Sequence, residues 1–126
     1  MSSSPATTTV HDTVKRSFNA VQFLRVSTTG DLPISHLAVL YYVGLQKGGD
    51  IGKTQLERVL DMSTSTMSRI LQRLGLGSVE NDRVKGLGLI ETFEDPADWR
   101  TKRVKVTKRG REVLDGYARI MNPEVV

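Results

Sequence analysis

Two short apolar stripes of helical period lie almost end to end between Lys53 and Leu74, and no other stretch restricts the fold as strongly. Leu56, Val59 and Leu60 form the first, while Met67, Ile70, Leu71 and Leu74 form the second at i, i+3, i+4 and i+7. Only Asp61, Met62 and Ser63 separate them, a connection that suits two helices meeting at a steep angle in a helix-turn-helix. Ser63 is a favourable N-cap for the second helix. The outward face of that helix carries Thr64, Ser65, Ser68, Arg69, Gln72 and Arg73, and no acidic residue occurs from Met62 to Val79. A polyanion would approach this face without repulsion. Taken alone, the same pattern also fits an ordinary amphipathic surface helix.

Charge elsewhere narrows the choice. The 126 residues carry a formal charge of +4, and residues 100–111, RTKRVKVTKRGR, hold seven Lys or Arg and no acid. Such a concentration suits a phosphate-facing surface, although a charge run is also a common solvated face. A hydrophobic share of 38% and a charged share of 25% predict one globular domain with a real core. No apolar run approaches the ~18 residues of a membrane span, and no export signal is visible at the N-terminus, so the expected location is cytoplasmic, without a membrane partner. Without cysteine there is no disulfide, thiolate metal site or thiol nucleophile. His11 and His36 are the only histidines, and no carboxylate cluster has metal-ligand spacing. An enzyme is not expected, nor a metal or other cofactor. The segment Gly48 to Thr54 is close to a phosphate-binding loop, but Lys47 stands where the first glycine is required and a helix precedes it.

Along the chain, residues 1–9, with six Ser or Thr, read as a disordered tail preceding a folded domain over 10–126. Helix 1 is expected from about Val10 to Val26, with Val14, Phe18, Val21 and Leu24 on one side. Helix 2 begins after an Asp31 N-cap, with Pro33 in its first turn and Leu37, Leu40, Tyr41 and Leu45 inward. Ile51 is a short extended piece. After helix 4, the glycine-rich loop Gly75–Gly88, with room for one turn near Val79 to Lys85, should hold the following strand away from that helix. Leu89–Phe93 and Arg103–Val106 are expected strands, with EDPADWRTK as a polar hairpin tip. Thr107 caps a last helix built on Val113, Leu114, Tyr117, Ile120 and Met121. The expected fold is mainly α (α+β), a winged helix-turn-helix in the order α-α-β-α-α-β-hairpin-α.

The hairpin holds the most specific motif. Asp98-Trp99-Arg100, five residues, Val106-Thr107, two residues and Gly110 follow the pattern D-x-R-x5-L-T-x2-G, with Val106 in place of Leu. Together with Gln55-Leu56-Glu57, Ser63 to Leu74 and Leu89-Ile90-Glu91, this resembles the MarR family of transcriptional regulators, from about Leu32 through Tyr117. The resemblance implies a homodimer that binds double-stranded DNA, with helix 4 in the major groove and Arg100 of the wing in the minor groove.

The residues allow roles to be assigned within that scheme. Thr64, Ser65, Ser68 and Arg69 lie near the end of helix 4 that meets base edges, with Ser63, Thr66, Gln72 and Arg73 beside them. Arg69 or Arg73 has the fork that grips guanine. Asp98 can hold Arg100 before DNA arrives, or form a plain surface ion pair with it. Lys102, Arg103 and Lys105 suit phosphates, and Lys53 and Thr54 open helix 3, where one phosphate is expected. Trp99 is expected to fold back against the wing, the other reading being a stack on the DNA backbone. Relative to the family's usual length the C-terminal region is short. Helix 1 and the last helix must then supply the dimer interface, through Phe18, Val21, Phe23, Tyr117 and Ile120, or else close the monomer core. No ligand-binding group stands out, which argues against a small-molecule effector. The competing function is a winged-helix module that binds another protein, such as polymerase.

Overall fold

The computed structural model describes residues 9–28, 30–76 and 85–124. Its elements are α1 (Val10–Ser27), α2 (Ile34–Gly44), β1 (Asp50–Gly52), α3 (Lys53–Leu60), α4 (Thr64–Leu74), β2 (Ile90–Asp95), β3 (Asp98–Val106) and α5 (Lys108–Met121). The order is the expected one. None of the described helices is long and apolar enough to cross a membrane.

Local chemistry sets most boundaries, with two corrections at the start of the chain. Thr9 is not part of a tail: its Oγ1 accepts from the Asp12 N–H at 3.0 Å and caps α1. The rest of the expected tail, residues 1–8, lies outside the described residues. The start of α2 is set by Pro33, not Asp31, because proline drives its predecessor out of the helical region. The Pro33 carbonyl accepts the first turn's N–H groups from His36 and Leu37. Between α3 and α4 the chain turns through Asp61, which takes the left-handed conformation at φ 53°. Ser63 Oγ then accepts from the Thr66 N–H at 3.1 Å, supplying the cap that opens α4.

The three strands form an antiparallel sheet in the order β1-β3-β2, with Ile51 opposite Val104. The hairpin is longer than the sequence suggests. Pro96 and Ala97 alone make its turn, and most of the expected tip, Asp98 to Lys102, belongs to β3. Asp95 faces Asp98 while Glu94 faces Lys102, so Trp99, Arg100 and Thr101 are extra residues on β3 without β2 counterparts. They form a bulge, a device that bends a strand and redirects its side chains.

The core gathers Leu24, Val39, Leu40, Val43, Ile51, Leu56, Met67, Ile70, Leu71, Leu74, Leu89, Ile90, Val104 and Val113. Most elements contribute the apolar side that their periodicity marked; the exceptions are α1, which gives only Leu24 of its stripe and leaves Val14, Phe18 and Val21 exposed, and two single residues. Leu45 lies just past the end of α2 and is exposed, and Val59 sits at the margin of the narrow α3 stripe, where Leu60 takes the inward edge. The expected separation of wing and α4 is also not found. Backbone bonds from Leu87 to Arg73, Gly88 to Gly75 and Leu89 to Leu74 root the hairpin directly on the end of α4. The turn expected near Val79 to Lys85 lies mostly outside the described residues.

A polar joint locks α5 to this root. Thr107 Oγ1 accepts from the Gly110 N–H at 3.0 Å and donates to the Gly88 carbonyl at 2.6 Å. Arg109 donates through Nη2 to the Ser27 carbonyl at 3.0 Å and through Nε to the Leu87 carbonyl at 3.3 Å. One side chain therefore ties the end of α1 to the base of the hairpin.

Candidate nucleic-acid interface

On α4, Ser65, Arg69 and Gln72 form an exposed row at helical spacing, and Thr64 is exposed beside them. Ser68 and Arg73 are half-buried. The hydroxyls of Ser63 and Thr66 are 2.9 Å apart and serve the cap, and the Ser65 hydroxyl lies 3.3 Å from that of Ser63. Thr64 Oγ1 donates to Glu57 Oε1 of α3 at 3.0 Å, binding the two helices across their turn. Glu57 also takes the ammonium of Lys53, one turn earlier in α3. Partial burial pushes the Glu57 carboxyl up, but its bonds from Lys53 and Thr64 prevail and hold it below the ordinary carboxylate value. Arg73 lies close enough to His36 of α2 to matter: burial, and then that guanidinium, lower the imidazole pKa.

The wing presents its charges unequally. Asp98 Oδ1 accepts from both the backbone N–H and Nε of Arg100, each at 3.1 Å, and Oδ2 accepts from Thr101 at 3.3 Å. The Arg100 guanidinium, followed by its backbone N–H, keeps Asp98 below the ordinary carboxylate range. The Arg100 side chain is nonetheless 74% exposed, held at one atom and open at its far end. Lys102 is exposed. Arg103, expected at a phosphate, is instead half-buried and ion-paired with Asp50 of β1 and Asp95 of β2. Asp50 in particular raises its pKa. Strand alternation puts Arg103 on the face of the sheet opposite the buried Val104, the face it shares with these carboxylates. Trp99 does not fold back: it is 72% exposed, because the bulge lifts it from the sheet surface it would otherwise cover.

These parts meet on one side of the molecule. A cleft of about 240 Å³ is lined by Lys53, Thr54 and Glu57 of α3, Thr64 of α4, and Arg100, Thr101 and Lys102 of the wing. A neighbouring groove of about 360 Å³ runs between α4 and the hairpin, past Ser68, Gln72, Glu91, Thr92 and Lys102. Lys53 and Lys102 line both. Lys53 sits where expected at the start of α3, but its partner there is Glu57. Glu57 is the member of this site that charge counting missed, since acids do not attract attention in a basic surface. The signal was present as a Lys–Glu pair at i, i+4.

No family model matches the chain, and no curated protein matches it. Solved structures do. The chain is similar to a MarR variant from E. coli complexed with operator DNA, at 20% identity over 88% of this chain and 71% of that one, TM-score 0.58. It is similar to a MepR–DNA complex from S. aureus at 18% identity, over 90% and 78% of the two chains, TM-score 0.62. A probable transcriptional regulator from Pseudomonas aeruginosa matches at 24% identity, over 88% and 77%, TM-score 0.55. The chain has the winged helix-turn-helix fold of these regulators. Within that winged helix, α3 and α4 are the helix-turn-helix and β2–β3 the wing.

The residues named for a dimer interface divide. Phe18 and Val21 are exposed on α1, at 60% and 44%, in line with exposed Val10 and Val14. Phe23 and Tyr117 instead pack within the chain: the Phe23 ring fills the space beside Gly116, and Tyr117 lies 5.2 Å from Tyr41 between ring centres. Ile120 is half-buried. The winged helix also has an apolar cleft of about 500 Å³ between the end of α1 and the start of α2, past Val21, Leu24, Leu32, Pro33 and Ile34, that the sequence did not announce.

Proposed function

We propose that this chain is a sequence-specific transcriptional regulator that binds double-stranded DNA and represses by occupying its site against polymerase. The observation that carries the reading is the shared orientation of the acid-free α4 face and the wing cations Arg100 and Lys102, with clefts between them lined by both. Solved neighbours of the same fold that are bound to DNA support it. In this reading α4 enters the major groove by its N-terminal half, with Ser65, Arg69 and Gln72 at the base edges. Arg100 enters the minor groove, while Lys102 and the start of α3 take phosphates. Two copies joined through the α1 stripe and α5 read two half-sites.

Selection from a random duplex library, followed by titration of the winner, tests the proposal. Affinity should fall steeply with salt as phosphate-bound counterions are released. Arg69→Ala should relax sequence preference, with a loss of about 1–3 kcal/mol at one base position, whereas Lys102→Ala should weaken all duplexes alike and flatten the salt slope by roughly one unit. Identical effects of the two substitutions would refute the division of roles. No duplex preference, with a protein partner that survives nuclease treatment, would refute the function.

A further inference from the structure

We propose that Trp99 is a DNA contact in its own right, its indole lying along the deoxyribose edge of the minor groove beside Arg100 and donating its N–H to a phosphate oxygen. The inference rests on the DNA-binding reading and adds a sequence-tolerant apolar contact to a wing otherwise understood through charge.

Three observations carry it. Trp99 is 72% exposed, the highest-cost side chain to leave in water, and among the exposed large hydrophobics of the described residues it alone belongs to the wing. A protein-docking face would be expected to gather further apolar neighbours. Its neighbours along the strand are instead polar or charged, Asp98, Arg100, Thr101 and Lys102, and the one acid among them is paired with Arg100. The second observation is the bulge: Trp99, Arg100 and Thr101 have no β2 counterparts, so neither the indole nor the arginine has a cross-strand neighbour to cover it. The third is rigidity. Asp98 accepts bonds from Arg100 and Thr101, fixing the backbone on which Trp99 stands and reducing the order lost on binding.

The geometry of a duplex selects the target. Base faces are stacked and inaccessible, whereas the sugars along the minor groove present apolar C–H edges flanked by phosphates. An indole suits that border, apolar over its ring and a donor at one nitrogen. The contact does not read bases and should strengthen every duplex alike.

Because this is the chain's only tryptophan, its fluorescence reports the contact directly. With a selected duplex at saturation, monitored by anisotropy of a label on the DNA, Trp99 emission should change and become shielded from acrylamide. Trp99→Ala should raise Kd roughly three- to tenfold on selected and random duplexes alike, with the salt slope unchanged because no charge is removed. Trp99→Phe should recover part of the loss. Circular dichroism of the variants should match the unsubstituted protein, since the side chain is exposed. If the protein binds duplex with a steep salt slope but Trp99→Ala leaves Kd unchanged, or acrylamide access is unaltered at saturation, the contact is refuted and the DNA-binding reading stands. Failure of the unsubstituted protein to bind any duplex refutes both.

Discussion

At the scale of single residues, His36 shows how α4 leaves a trace on stability. Its imidazole is partly buried and lies near the Arg73 guanidinium, and both effects lower its pKa from the ordinary 6.5. A base with a lowered pKa binds fewer protons in the folded chain than in the unfolded one. Its contribution is therefore neutral above about pH 6.5 and becomes destabilising as pH falls through that value toward the folded pKa. Thermal melts should show Tm declining over this window, and His36→Gln should make the decline shallower. Equal slopes for the two proteins would count against the assignment. Asp98 behaves oppositely: Arg100 lowers its pKa, so the carboxylate that holds the wing arginine stays charged below the ordinary carboxylate range. Gly110 has a different constraint, close approach: a Cβ there would fall on the Leu89 carbonyl oxygen, and Val106 crowds it from the side.

At the scale of elements, α4 depends on its first turn. Ser63 supplies the cap, and Thr64 ties the same turn to Glu57. Ser63→Ala should cost about 0.5–2 kcal/mol, read as a lower Tm, and, under the proposed function, should weaken DNA binding because the frayed end is the one proposed to meet bases. A melt unchanged within error would show that the cap is redundant. These local features were legible in advance. Ser63 and Thr107 announce helix starts through side-chain chemistry, and the stripe Met67, Ile70, Leu71, Leu74 announces a buried face through spacing alone. Features set by pairing across the chain were not. Nothing local in DWRTK distinguishes a loop from a strand with a three-residue bulge, since the register is fixed by β2 on one side and β1 on the other. Arg103 looked like a free cation because Asp50 is distant in sequence and adjacent only in the sheet. Trp99 looked like a packing residue because aromatic residues usually are, and only the bulge removes the surface it would cover. The left-handed turn at Asp61 escaped notice because no glycine marks it.

At the scale of the whole molecule, one apolar surface has no partner among the described residues. Val10, Val14, Phe18 and Val21 form an exposed apolar row on α1, which lies along α5. Under the proposed homodimer this row meets its copy. Phe18→Glu should then leave the fold intact by circular dichroism, since the ring is 60% exposed, while sedimentation shifts from dimer to monomer and affinity for a two-half-site duplex falls. A monomer mass for the unsubstituted protein at micromolar concentration would refute the arrangement. The Arg109 joint gives this a mechanical meaning. Its guanidinium clasps the last turn of α1 and the base of the wing at once. In the proposed homodimer a tilt of α1 would reach the hairpin through this joint, and the pair would behave as calipers whose jaw gap is set where the two copies touch rather than at the points that grip.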